Sequence, residues 1–180
     1  MSNSNSVKSK NKITVKSICF TAVMAALIFV FTFTFKIPLG NGYTHLGDAV
    51  IFLSIPILGS KKSCLAAGIG AALADLIGGY SAWVLPSFFI KLIMVLICGF
   101  FAEKLLTNKF AGYIVGAVIG GAFQIAAYTI IKIFLFDKAY AFSSLPTLAI
   151  QTAVGITAAL IFIAMFNKTN VTARLRKMAE

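Results

Sequence analysis

One histidine, three cysteines and five acidic residues are all that this chain of 180 offers for acid–base, thiol or metal chemistry. A single His45 with no nucleophile and no metal-ligand spacing beside it is too thin a constellation for an intramembrane enzyme, even with Asp48 as a partner. Cys19, Cys64 and Cys98 are odd in number and scattered, so they give neither a disulfide framework nor a metal site and read as small packing residues. No G-x-x-x-x-G-K-[ST] phosphate loop is present, so the chain has no ATPase motif of its own. No internal repeat emerges either, which leaves an inverted-repeat carrier without support.

What the sequence does have is apolar length. Hydrophobic residues make up 59% and the mean hydropathy is +0.94, against roughly 45–50% apolar content in globular chains. Long apolar runs without period-2 alternation select helices as the spanning structure. The reading is an all-α integral membrane protein. The net charge of +11 would suit nucleic acid, but 12 of the 16 Lys and Arg fall in four separate segments, before Ser17, at Lys61 and Lys62, at Lys104 and Lys109, and from Lys168 onward. All four would face one side of a membrane, which is the positive-inside pattern.

Residues 1–14 read as a disordered basic cytoplasmic tail, 15–166 as a six-helix transmembrane domain, and 167–180 as a second basic cytoplasmic tail. Both termini are then cytoplasmic and the protein sits in the cell membrane as a multi-pass chain. The first span, about Val15 to Phe35, has an uncharged core too long for a signal-peptide h-region of about 7–15 residues. A loop from Lys36 to Gly47, punctuated by Pro38 and three glycines, faces outside. The second span, Asp48 to Gly59, has about 18 Å of uncharged helix against about 30 Å of hydrocarbon, so it has to draw His45 and Asp48 inward. Spans near Ser63–Ile77, Leu85–Leu106, Phe110–Phe134 and Ser144–Phe166 complete the set, the third crowded with small residues that let helices approach closely.

Depth, counted at about 1.5 Å per helical residue, puts the polar residues together. Asp48 opens the second span, Asp75 closes the third, Lys91 and Gln151 come early in the fourth and sixth, and Gln124 lies late in the fifth. With Tyr43, His45, Tyr80, Trp83 and Tyr128 they describe a pocket in the outer half, mostly apolar and aromatic with a few placed polar groups. Ordinary roles remain open for each: Asp75 with Lys91 as a neutralised pair, Asp48 on a helix dipole, Trp83 and the tyrosines as interfacial residues.

Gly42-Tyr43-Thr44-His45-Leu46-Gly47-Asp48-Ala49, Ala72 to Tyr80, and the Pro86 to Lys91 run behind them resemble the substrate-binding S component of an energy-coupling-factor (ECF) vitamin importer. The pyridoxine and hydroxymethylpyrimidine types are nearest; pantothenate fits if Lys91 is free to meet its carboxylate, and riboflavin and folate are larger. The resemblance implies capture of a small vitamin from outside. It also implies delivery through a transmembrane T component driven by two cytoplasmic ATPase subunits, with toppling in the membrane to release the load, no cofactor in this chain, and no nucleic acid. It implies a lid in the first outer loop and a docking face on the first helix, where Ala22 and Ala26 have the small-xxx-small spacing with Ala25 beside them. The alternative is a stand-alone proton-coupled secondary transporter using Asp48, Asp75 or His45.

Overall fold

A computed structural model describes residues 14–39 and 42–179, with the side chains of residues 38, 39, 42 and 43 outside the described part. The expected N-terminal tail therefore lies outside the described residues except for Thr14, whose hydroxyl accepts from Ser17 N at 3.1 Å and starts the first helix. The chain runs α1 (Val15–Phe33), β1 (Lys36–Leu39), β2 (Gly42–His45), α2 (Gly47–Leu58), α3 (Ser60–Ile77), a 3-10 turn (Ser81–Trp83) and α4 (Val84–Phe100). A π-turn (Phe101–Leu105), α5 (Lys109–Leu135), α6 (Lys138–Ser143), α7 (Leu145–Lys168) and α8 (Val171–Ala179) follow.

Among the described residues, four helical units are long and apolar enough to cross a membrane: Val15–Phe33, Ser81–Leu105, Lys109–Leu135 and Lys138–Lys168. Of the other two expected spans, α2 is only 12 residues long, and α3 carries Lys61, Lys62 and Asp75 within its 18. α2 compensates by burial. Ten of its 12 residues are buried, because α1, α3, α4, α7 and α8 all pack on it. A helix apolar on every side belongs in the middle of such a bundle.

The segment expected to be an outer loop is instead a short antiparallel hairpin, with Lys36 opposite His45 and Ile37 opposite Thr44. Its second strand rests on α7 and α1. The hairpin puts His45 two residues ahead of α2, so the direction of α2 fixes where the imidazole goes.

Close helix approaches come from small residues. On α5, Gly112, Gly116 and Gly120 recur every four residues, and a Cβ at each would lie 2.5, 2.5 and 2.8 Å from the carbonyl oxygens of Phe101, Cys98 and Met94. The backbone of α4 thus lies in a groove only glycine can provide. Gly70 of α3 does the same for α1, where a Cβ would meet the Ala25 carbonyl oxygen at 2.7 Å. Ala25 is therefore buried, a correction to its expected place on a docking face; Ala22 and Ala26 are exposed.

Two further joints were not expected. Gly59, at φ +77°, turns α2 directly into α3. The Glu103 carboxylate then accepts from Ser60 N and Ser60 Oγ, both at 2.9 Å, satisfying the open N-terminus of α3 from the π-turn. Beyond α7 the basic C-terminal segment forms α8, anchored where Lys62 Nζ donates to the Ala179 carbonyl at 2.8 Å. Cys64 and Cys98 are buried, Cys19 is exposed, and all three are free.

Candidate functional site

The polar residues that the depth argument gathers are divided by the structure into two storeys. In the lower one, Asp48 and Gln124 have no exposure and Lys91 has 2%. Lys91 Nζ is ion-paired to Asp48 Oδ1 and donates to Gln124 Oε1 at 2.5 Å. Gln124 Nε2 donates to Asp48 Oδ2 at 2.8 Å and to Thr152 Oγ1 at 3.0 Å, and Gln151 Nε2 reaches the same carboxylate oxygen at 3.0 Å. A buried charge persists only when it is paired and hydrogen-bonded, and here both requirements are met within one cluster. Lys91 also lies 5.6 Å from the centre of the Tyr128 ring.

Four helices build this cluster, each for a sequence reason. Asp48 stands in the first turn of α2, where a carboxylate suits the positive end of the helix. Lys91 is on the face of α4 toward α5, which the glycine groove holds close. Gly155, one turn beyond Gln151 on α7, lets that helix approach, since a Cβ there would lie 2.7 Å from Asp48 Cβ. The expected exchange of charge between Asp75 and Lys91 does not occur as a direct pair, because Asp48 occupies the ammonium.

Above the cluster is a cavity of about 370 Å³. Asp75, Ser87 and Tyr128 form one wall, where Tyr128 donates to Ser87 Oγ at 2.9 Å and Ser87 bonds the Asp75 carboxyl in turn. Lys132, Ser144, Thr147 and Leu148 form another, with Lys132 Nζ 2.8 Å from Ser144 Oγ. Aromatic rings run between them: Trp83 is 5.7 Å from Tyr128 and 6.3 Å from Phe136, and Phe136 is 5.0 Å from Tyr140. Gln151 belongs to both storeys, forming part of the cavity wall while its amide holds Asp48. Tyr80 and His45 complete the lining. Tyr43 is placed only by its backbone in β2, its side chain lying outside the described part.

His45 lies outside the helices. Burial pushes its imidazole down to about 4; Lys91 and Lys36 act in the same direction and Asp48 against it. At neutral pH it is an uncharged ring facing the cavity.

Of the residues expected in one pocket, His45, Asp75, Tyr80, Trp83, Tyr128 and Gln151 line the cavity, while Asp48, Lys91 and Gln124 lie beneath it. Sequence reasoning missed Ser87, Lys132, Phe136, Tyr140, Ser144, Thr147 and Leu148. A signal existed for two of them: Gln124, Tyr128, Lys132 and Phe136 recur every four residues, one face of α5 carried to its end. Tyr140 had none, because it depends on α6, a six-residue helix capped by Asp137, whose carboxylate accepts from Tyr140 N at 2.7 Å.

Chemically, the cavity offers an acceptor carboxylate, a donor ammonium and ring faces between them, with hydroxyls and an amide to orient a guest. Among the described residues no group of three or more His, Cys, Asp or Glu could hold a metal ion.

Two comparisons with known proteins bear on this arrangement. Residues 12–168 match the family model described as ECF-type riboflavin transporter, S component. The chain is also 31% identical over 120 residues to a protein of Pyrococcus woesei titled "Uncharacterized protein in gap 3'region", covering 67% of this chain and 79% of that one. S components are substrate-binding subunits of transporters, not enzymes; they bind a small vitamin and work with a T component and ATPases. The bundle of apolar helices, the sealed polar floor and the cavity above it thus go with a match across most of the sequence: the chain belongs to the S component family of ECF-type transporters.

Proposed function

We propose that this S component captures a small planar heteroaromatic vitamin or precursor, of the pyridoxine or hydroxymethylpyrimidine type, in the cavity above the Asp48–Lys91 pair. Six crossings, cytoplasmic termini, and delivery to a T component powered by two ATPases belong to the same reading, as does a docking face at Ala22 and Ala26. The observation that carries the substrate class is the presence of both Asp75 and Lys132 in the lining of a cavity of about 370 Å³ that also carries Trp83, Tyr128, Phe136 and Tyr140. A ring lies against those faces while its hydroxyl or amino groups donate toward Asp75 and its ring nitrogen or oxygens accept from Lys132. Pantothenate loses its argument, because Lys91 is held by Asp48 and Gln124 and an acyclic ligand leaves the aromatic walls unused.

Riboflavin is the second reading, favoured by the description of the matching family. Mass spectrometry of whatever co-purifies, followed by thermal unfolding with pyridoxine, hydroxymethylpyrimidine, riboflavin and pantothenate, separates the two. Stabilisation by either small ring supports the proposal; stabilisation by riboflavin alone replaces it.

Asp75→Asn and Lys132→Met are each expected to weaken binding by about 10- to 100-fold, the usual worth of a hydrogen bond to a charged group. Neither residue holds up the buried cluster, so unfolding without ligand should stay close to that of the parent. Unchanged titration calorimetry in both variants would remove the assignment of the two walls.

The hairpin adds a pH dependence. When it is displaced from the cavity, His45 titrates near its ordinary 6.5; when packed, it resists protonation down to about 4. Falling pH between those values therefore favours the displaced hairpin. Affinity should drop below pH 6.5 by at most about tenfold per pH unit, and His45→Gln should flatten that slope.

A further inference from the structure

A second cavity, of about 520 Å³, lies at the other end of the bundle, between the end of α2, the π-turn, the start of α5, the end of α7 and α8. Lys109, on its wall, precedes Lys132 by about 35 Å of helix, one hydrocarbon thickness, so the two cavities sit at opposite faces of the bundle. Nothing in the family match assigns this one a role. We propose that it is a binding site for a phosphate group.

The cavity leaves two hydroxyls unsatisfied. Tyr113 is only 5% exposed, it lines the cavity, and its hydroxyl has no hydrogen-bond partner among the described residues. Thr172 on α8 is half-buried and lines the same space, and its hydroxyl oxygen is buried without a hydrogen-bond partner among the described residues. Buried hydroxyls rarely stay unpaired in native structures, and each such case calls for a missing partner. Around these two stand Lys109 and Arg176. The one carboxylate on the wall, Glu103, has its oxygens engaged by Ser60 N and Ser60 Oγ, so it is already answered from α3. What lines the cavity is then Lys109, Arg176 and two hydroxyls against one carboxylate engaged from α3 and the Asn167 amide, a net positive set that complements a phosphate with several acceptor oxygens.

Two sources carry that chemistry. One is the headgroup of an anionic phospholipid: basic pockets between helices at a membrane face bind such headgroups, and Phe110, half exposed at 47% on the rim, offers an apolar surface to an acyl chain. The other is inorganic phosphate from solution.

The full chain in detergent is to be followed by native mass spectrometry and by thermal unfolding with phosphatidylglycerol, phosphatidylcholine or inorganic phosphate added. Retention of one phosphatidylglycerol per chain with a raised midpoint, and little effect of phosphatidylcholine, supports the site with lipid as its source. An equal effect of inorganic phosphate alone supports the site with the free ion as its source. Lys109→Gln and Arg176→Gln should each weaken that binding about tenfold while leaving vitamin binding at the far cavity unchanged. Tyr113→Phe keeps the ring and removes only the hydroxyl; it should lower binding without lowering the midpoint of the ligand-free protein. Absence of any stabilisation by either phosphate source overturns the proposal, and so does stabilisation that all three variants retain.

Discussion

Asp48→Ala should cost the bundle about 3–5 kcal/mol, because it leaves the Lys91 ammonium buried with no counter-charge. Against a total stability of about 5–15 kcal/mol, that is a large share of what holds the fold, so weakened vitamin binding in this variant would follow from loosened helices and not from a lost ligand contact. Lys91→Met should be milder. Its partner carboxylate keeps the amides of Gln124 and Gln151 at 2.8 and 3.0 Å, so the remaining charge is still solvated by dipoles. Asp48→Leu combined with Lys91→Met should recover much of the loss, since a buried pair replaced by apolar groups of similar volume is often neutral. Thermal unfolding of Asp48→Leu, Lys91→Met and their combination, read as a cycle, with Asp48→Ala measured beside them, checks the set; an Asp48→Ala midpoint matching that of the parent would mean that the pair is not the floor described here.

Gly116→Leu is expected to give no folded, monodisperse protein. A Cβ at this position falls 2.5 Å from the Cys98 carbonyl oxygen and 2.9 Å from its Cα, and backbone atoms cannot swing aside as a side chain can. Gly116→Ala brings the same clash with the fewest added atoms and should cost about 1–3 kcal/mol, the usual range for overpacking. Val118, 55% exposed two residues on, supplies the control, since its change to alanine touches neither the groove nor the core. Size-exclusion profiles and unfolding midpoints in detergent distinguish these outcomes. A well-behaved Gly116→Leu would show that α4 and α5 stand further apart than their glycines imply.

How much of this was legible follows from what a sequence can measure. Apolar run length gave the four long spans and the shortness of α2, and counting residues brought Asp48, Lys91, Gln124 and Gln151 to one level, where the structure joins them. Depth says nothing about direction around a helix axis, however. Depth made Asp75 a natural partner for Lys91, and the structure gives that place to Asp48 of α2. The same blindness put Ala25 on an outward face, when its position along α1 fits equally well against Gly70. Lys132 closes an apolar stretch, and only its four-residue step from Tyr128 signals that it turns toward the cavity. The hairpin was hidden by Pro38 and the glycines around it, which punctuate loops and tight turns alike. Such residues mark a change of direction without saying that two short strands pair across it.

The neutrality of the Asp48–Lys91 pair has an electrical consequence. A membrane potential does about 2.3 kcal/mol of work per elementary charge per 100 mV, so an unmatched ammonium at this depth would bias the bundle toward one tilt whenever the cell is energised. One ammonium bound to one carboxylate presents a dipole and no net charge, so this buried pair gives the voltage almost nothing to pull on. The buried floor of the bundle is then held at nearly the same cost in a resting and in an energised cell.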